Sequence, residues 1–451
     1  MERDVATQLI EFAVDTKYED IPEETLEFTK CLTLKTVAGM LAGSTTPSAQ
    51  KMAGIIRDRK LPEECGVIGS DFKTSLWEAV LLGVYFAHAK ELEDDRYVYG
   101  VSWDITVIPL LFPLAEKLGL SGKALLEALV VGLEIHTRTC LFSAHHLGLF
   151  VVPGAVGPAV GAAKALGLGV KETAAAFGLA MSGVPISMVN LGTDAHFFES
   201  ALQSLQGIMA AEMAKVGLSG NPDINTYLTN HLGKERVVPE EMVEDLGKRW
   251  VLQEIQIKKY PCCIAHHRQI DSVIELRKKH NLSFEDVETI EVHSRRKGDI
   301  RQNRPEPKDA NDLQFSIQHT LGAAMLDGDV GLEHMTEDTV VEPRLKEARS
   351  KVKFIPAPDD SPGGTLGESF DEPACVVIKT KDGKTFSRER QYVIGSFQEP
   401  LSLDQFRELY HKFTCGILSE ENISKSAGTI LNLESIDSVK EIMDIFSKGD
   451  K

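Results

Sequence analysis

The sequence predicts a mostly α-helical fold with an inserted α+β domain, and three observations carry that reading. Apolar residues recur at helical spacing from the N-terminus to about residue 250. From there to about residue 395 the period shifts toward two, which is the alternation of a half-buried strand. From Ser402 onward the pattern is helical again. A chain of 451 residues is too long for one compact core. The expected division is a helical domain over 1–257, an α+β domain over 258–395, and C-terminal helices over 396–451 that return to the first.

The helices come first. Asp20-Ile21-Pro22-Glu23 combines a capping residue, an early proline and an acidic residue three places on. The helix it starts carries Leu26, Phe28, Leu32, Leu34, Val37 and Leu41, with Gly43 as its expected stop. Ser121 caps a helix whose face is Leu125, Leu126, Leu129, Val130 and Leu133. Leu118-Gly119-Leu120 precedes that helix, and Leu166-Gly167-Leu168 precedes another over Lys171–Met181, so a helix–Gly turn–helix unit occurs twice. Gly154, Ala155, Gly157, Ala159, Gly161, Ala162 and Ala163 let helices approach closely in a buried bundle. Their segment is short and carries Lys164, which argues against a membrane dimer face. It also lacks the strand, Gly loop and Lys-Ser/Thr of a phosphate-binding loop.

In the second part, Val251–Ile257 reads as a strand, and Val287–Ser294 alternates over most of its length. Cys375–Thr380 and Thr385–Val393 flank Asp382-Gly383 and read as a hairpin. Helices are expected over His267–Lys279 and Phe315–Leu326. Ala357–Phe370, rich in Pro, Gly, Asp and Ser, reads as a mobile loop.

Composition narrows the function classes. Hydrophobic content of 43% and charged content of 26% are those of a globular protein. A net charge of -18 argues against nucleic acid and anionic membranes as partners, and Arg295-Arg296-Lys297 is too short a basic run to offset it. The longest apolar stretches, such as Ala124–Leu133 with its Glu127, are too short to span a bilayer. Met1-Glu2-Arg3-Asp4 does not lead into an apolar signal region. With seven scattered cysteines, the expectation is a cytoplasmic protein with reduced thiols.

Several segments then form a pattern. Ala87-His88-Ala89 leads into Glu91-Leu92-Glu93-Asp94-Asp95, followed by Pro109, Leu114-Ala115-Glu116 and Gly119-Leu120-Ser121-Gly122. Gly161-Ala162-Ala163 precedes Leu166-Gly167-Leu168, and Gly192-Thr193 precedes a helix with Gly207 and Ala210-Ala211. Lys258-Lys259-Tyr260-Pro261-Cys262-Cys263 is followed by His267 and Ile270-Asp271, and Asp382-Gly383 and Lys412-Phe413 come late. In this order the chain resembles the MmgE/PrpD family, which includes methylcitrate dehydratases, cis-aconitate decarboxylases and iminodisuccinate epimerases. The resemblance covers nearly the whole chain, and the Lys258–Asp271 segment is its most specific part. It implies a large helical domain, a smaller α+β lid, a homodimer and an active cleft between the domains.

At Lys258, Cys263 and His267 the chain matches the family pattern, while the helical half departs from it. The usual Asp-x-Asp-Asp-Thr becomes Glu91, Glu93, Asp94 and Asp95 followed by Arg96. Ser102-Trp103 and Val152-Pro153 stand where His-Pro pairs are usual. His196 replaces a lysine, Glu199 a histidine, and His319 best matches a tyrosine of the lid.

Elimination from an organic acid needs cations for carboxylates and a group that moves a proton. Lys258 can hold a carboxylate, His267 can titrate near neutral pH, and Glu91 or Asp94 can act as a base if burial and like charge raise its pKa. The resemblance thus implies His267, Lys258, Glu91 and Asp94 as catalytic residues. Asp95, Ser102, His196, Glu199, Cys263 and His319 would bind substrate. The loss of two histidines and a lysine reduces anion-binding capacity, so the expected substrate is a small organic acid with fewer carboxylates than a tricarboxylate. A substrate with a positively charged group facing Glu91 and Glu199 also fits. No cofactor and no metal are expected: Cys262, Cys263, His266 and His267 lack zinc spacing. Three other readings stay open. Glu91–Asp95 could be a solvated helix end, the same intermediate could be reprotonated by an epimerase, or the chain could be a scaffold without activity. An isoprenoid synthase is disfavoured, because Val98 stands where its aspartate motif continues.

Overall fold

The computed structural model describes residues 4–96, 101–102, 104–142, 144, 147–150, 152–183, 185–362 and 372–447. It is mostly α-helical with a smaller α+β region. The first part comprises α1 (Val5–Asp15), α2 (Glu23–Ser44), α3 (Pro47–Asp58), the short hairpin β1 (Cys65–Gly66) and β2 (Lys73–Thr74), and α4 (Leu76–His88). A second short hairpin, β3 (Asp95–Arg96) and β4 (Val101–Ser102), leads to α5 (Asp104–Leu118) and α6 (Gly122–Thr139). Then come α7 (Val156–Ala165), α8 (Val170–Ala180), α9 (Asp194–Lys215) and α10 (Ile224–Leu232).

Helix α2 lies at the centre. From Thr29 to Ser44 every residue is buried, as expected for a helix enclosed on all sides by others. It packs on α4, α5 and α6, while α9 packs on α4, α7 and α8. The two helix–Gly turn–helix units are α5–α6, turning at Gly119 (φ +65°), and α7–α8, turning at Gly167 (φ +67°). The small residues of α7 serve close packing on α6: a Cβ built at Gly132 would lie 3.1 Å from the Gly161 Cα.

Three expectations are corrected here. Asp20 closes a short turn, accepting from the Lys17 amide, and α2 begins after Pro22. Gly43 does not stop α2; a Cβ there would meet the Phe86 carbonyl oxygen at 1.8 Å, so its role is to let α4 approach. Val251–Ile257 is not a strand. The buried Glu134 carboxylate, paired with Arg138, accepts from the Val251 and Leu252 amides at 3.1 and 2.9 Å and folds the segment into a turn. Only Gln256 pairs in strand fashion, with Asp95.

The α+β region holds α11 (His267–His280), β5 (Val287–His293), α12 (Ala310–Leu313), α13 (Ile317–Asp327), α14 (Glu337–Val341), α15 (Pro343–Lys351), β6 (Val352–Ile355), β7 (Ala374–Thr380) and β8 (Thr385–Arg390). The sheet order is β6-β5-β7-β8, with β5 and β6 parallel and the other pairs antiparallel. Val287, Ile290 and Val292 of β5 and Val376 and Ile378 of β7 point into a core shared with Ile270 and Val273 of α11. The expected hairpin turns at Gly383 (φ +83°). Of the expected loop Ala357–Phe370, residues 363–370 lie outside the described residues.

The chain ends in α16 (Leu403–Thr414), α17 (Glu420–Leu431) and α18 (Lys440–Ser447). Both α16 and α17 pack on α2, and α18 packs on α5. Phe406, Tyr410, Phe413 and Ile442 thus join the same apolar cluster as Leu34, Val37 and Leu111. Each such side chain contributes roughly 1.5–3 kcal/mol when removed from water. That sandwich holds α2 and α4 fixed, and α4 carries the site.

Candidate active site

Helix α4 ends at His88, and the chain reverses through Glu91, whose φ of +50° lies in the left-handed region. This conformation costs a non-glycine residue about 1–2 kcal/mol. It turns the run Glu91–Asp95 inward instead of out to solvent. The solvated-helix-end reading is therefore excluded: all four acidic residues of the run are 5% exposed or less.

Lys258 meets them from the opposite side. Its ammonium donates to Glu91 Oε2 at 3.3 Å and to Glu93 Oε1, and lies 3.8 Å from Asp95 Oδ2. The backbone sets the register, with Asp95 and Gln256 exchanging amide hydrogen bonds. Asp94 works as a strut: its Oδ1 accepts from the Lys258 amide at 2.7 Å and from the Lys35 ammonium at 3.2 Å. Asp104, at the start of α5, accepts from the Asp94 amide at 2.8 Å. Five buried carboxyl groups thus surround two ammonium groups.

Helix α9 supplies the remaining wall. His196 sits on its first turn, with Nε2 3.6 Å from Glu91 Oε1. Ser200, one turn on, places its hydroxyl 2.9 Å from His88 Nδ1. The His88 and His196 rings are 4.5 Å apart, and Phe150 and Phe315 flank His196.

Burial dominates the proton affinities. It raises Glu91 well above the usual carboxylate range, reinforced by Glu93 and opposed by Lys258. It raises Asp95 to about 7 against the pull of Lys258, and Asp104 to about 8 with help from Asp94. Burial alone would lower the Lys258 ammonium, but Glu93, Glu91 and Asp95 together hold it well above its usual value. Burial pushes His196 down to about 3 and His88 well below its normal value. At neutral pH the imidazoles are uncharged, Lys258 is charged, and part of the carboxyl set holds protons.

The other expected site residues fall in different places. His267 is buried on the first turn of α11, with Nε2 3.3 Å from the Cys262 carbonyl oxygen and Nδ1 without a partner. The expectation that it titrates near neutrality is corrected: burial, then Lys258 and Lys259, lowers it well below 6.5. Cys263 is half-buried beside this turn, and burial pushes its thiol up to about 12, so it carries no thiolate. His319 is spent inside the α+β core. Its Nε2 donates to the His334 carbonyl at 2.7 Å and its Nδ1 accepts from Arg349 at 3.1 Å, which leaves neither nitrogen for a ligand. Glu199 accepts from the Ser187 amide and the Asn190 side chain and belongs to that loop. Ser102 pairs with Asp95 through the backbone; its side chain lies outside the described residues, as do Trp103, His145 and His146. Sequence patterns leave out Lys35, Asp104 and Ser200, and give His88 only as part of the run before Glu91.

Models of the MmgE/PrpD N-terminal and C-terminal domains match residues 7–228 and 260–434. The chain belongs to the MmgE/PrpD family. Within the MmgE/PrpD family it is 25% identical to the cis-aconitate decarboxylase-like protein oryM of Aspergillus oryzae, over 99% of this chain and 98% of that one. It is 27% identical to the cis-aconitate decarboxylase of Mus musculus, over 81% and 78% of the two chains, and 22% identical to that of Aspergillus terreus, over 98% and 96%. Relatives of this MmgE/PrpD chain are thus lyases of the decarboxylase type. Among the described residues no helix is long and apolar enough to cross a membrane.

Proposed function

We propose that this chain is a lyase of the decarboxylase or dehydratase type, acting on a small organic acid with fewer carboxylates than a tricarboxylate. The observation that carries this reading is the set of buried carboxyls around Lys258. A carboxyl that keeps a proton near neutral pH can protonate the carbanion left by loss of CO2, and its conjugate base can take the carbon-bound proton that starts a dehydration. Asp95 and Glu91 have that character, and Lys258 beside them stabilises the developing negative charge. The decarboxylase names of the relatives support the same class.

The substrate limit follows from charge. Lys258 and Lys35 are already paired with carboxylates of the protein. Two neutral imidazoles add hydrogen bonds and no charge, so each further carboxylate on the substrate would meet an acidic wall. Epimerisation shares the first step and differs in the fate of the intermediate.

The test is a panel of mono-, di- and tricarboxylic acids incubated in deuterated water, followed by NMR. We expect loss of CO2 or water from a mono- or dicarboxylic acid. Lys258→Met should raise KM, and Glu91→Gln should lower kcat by about 10²–10⁴. Carbon deuteration without elimination would convert the reading to an epimerase. Neither exchange nor elimination from any acid that raises Tm would leave a scaffold.

A further inference from the structure

Three side chains in this site converge on one point. His88 ends α4, Glu91 follows three residues later, and His196 opens α9. One ligand atom from each lies within 4.8 Å of the other two. The Nε2 atoms of His88 and of His196 are each 3.6 Å from Glu91 Oε1. Those spans approach the separation of about 3.3 Å between ligands held 2.0–2.1 Å from a tetrahedral ion.

Two of these atoms are unsatisfied. His88 Nε2 and Glu91 Oε1 are buried without a hydrogen-bond partner, on residues 1% and 2% exposed. Natural structures rarely leave such atoms orphaned. The back nitrogen of His88 is engaged by Ser200, which fixes the ring and aims Nε2 at Glu91, the usual outer-shell arrangement behind a metal-binding imidazole. When Nδ1 carries the hydrogen toward Ser200, two lone pairs face each other with nothing between them. Lys258 takes Glu91 Oε2 and leaves Oε1 free. The excess of carboxyls over ammonium groups makes the surroundings favourable to a cation.

We propose that His88, Glu91 and His196 form a binding site for one divalent cation of the zinc class, with a fourth position open to an anionic ligand. Two imidazoles and one carboxylate suit zinc and its neighbours better than magnesium or calcium, which take oxygen ligands. With the ion in place Glu91 is a ligand, and the proton-carrying role belongs to Asp95. The site stands on the geometry of three side chains and does not require the lyase reading.

A second trio, His411, Cys415 and Glu420, is exposed and would bind zinc or cobalt weakly at the surface. The test therefore uses the full chain carrying His411→Ala, stripped with a chelator and titrated with Co²⁺. Equilibrium dialysis gives stoichiometry, and visible d–d absorption gives geometry. We expect one equivalent per chain with tetrahedral-type absorption. His196→Asn and Glu91→Gln should each weaken binding by at least about 10-fold, with the circular dichroism of the metal-free protein unchanged. If Glu91→Gln fails to fold, His196→Asn, at a less enclosed position, decides alone. Absence of saturable one-equivalent binding, or binding that His196→Asn leaves intact, overturns the proposal and assigns the space between His88 and Glu91 to a shared proton. No turnover is measured, so failure of the lyase reading cannot be mistaken for failure of this one.

Discussion

Thr36 has a single hydroxyl proton and two oxygen neighbours, the Leu32 carbonyl at 2.9 Å and Asp104 Oδ2 at 2.5 Å. If the hydroxyl donates to Leu32, the short contact to Asp104 requires a proton on the carboxyl, which then donates to Thr36. The raised pKa of about 8, caused by burial and then by Asp94, agrees with that assignment. The sign of the linkage follows. The folded pKa lies above the unfolded value near 3.8, so the folded state holds the proton more tightly. This contribution to stability is complete below pH 3.8 and is lost as pH rises to about 8. Asparagine keeps both hydrogen bonds without titrating. We therefore expect Asp104→Asn to lose less stability with rising pH, by about 1.4 kcal/mol per pH unit between pH 5 and 7. Urea unfolding at several pH values measures this, and parallel slopes for the two proteins would refute it. Lys35 and Asp104 were visible in the sequence only as charges inside apolar runs, Leu34-Lys35-Thr36-Val37 and Asp104-Ile105. Nothing local says that the two runs meet at Asp94. Glu91 and Lys258, which pair with each other, were legible because the family pattern keeps their spacing; the Lys35 that pairs with Asp94 was not.

Between elements, the decisive quantity is how closely backbones approach. A Cβ at Gly157 of α7 would lie 2.2 Å from the Cβ of His136 on α6, whereas one at Gly54 of α3 would meet nothing within 4 Å. The same substitution should therefore have opposite signs at the two positions. We expect Gly157→Ala to destabilise by about 1–3 kcal/mol through overpacking, and Gly54→Ala to stabilise by about 0.5–1 kcal/mol by restricting the unfolded chain. Urea midpoints decide the matter, and a stabilising Gly157→Ala would sink the packing argument. Sequence periodicity found β5 because it puts one face on the core, as β7 does, so alternation is written into the residues; the hairpin to the mostly exposed β8 was found by its Asp-Gly turn. It failed at Val251–Ile257, where a carboxylate more than a hundred residues away captures the amides. It also misjudged Gly43, since a glycine that ends a helix and one that admits a neighbour look alike in one dimension.

At the scale of the whole molecule, the site is closed. His88, Glu91, Glu93, Asp95, His196 and Lys258 are all 6% exposed or less, so a substrate reaches them only if the α+β region moves away from the helices. The polar contacts that such motion breaks are few. Lys258 donates its amide to Asp94 at 2.7 Å across the junction, Lys90 donates to the Met335 carbonyl, and Lys412 on α16 holds Asp329 at 2.6 Å and the Val330 carbonyl at 3.1 Å. The buried apolar clusters of the two parts are separate, with half-buried Leu332 of the α+β region resting on the helical one. Opening of this kind should therefore cost less than global unfolding and appear as its own step in hydrogen exchange. We expect the Lys258 amide to exchange faster than amides in the middle of α5 and α6. Lys412→Ala removes a partly exposed ion pair of about 0.2–1 kcal/mol, which corresponds to an acceleration of about 1.4- to 5-fold at that amide. The α5 and α6 amides should not change, because Lys412 touches neither helix through its charge. If the Lys258 amide instead exchanges at the rate of the α5 and α6 core, the molecule opens only by unfolding, and the buried carboxyl set is out of reach of any substrate.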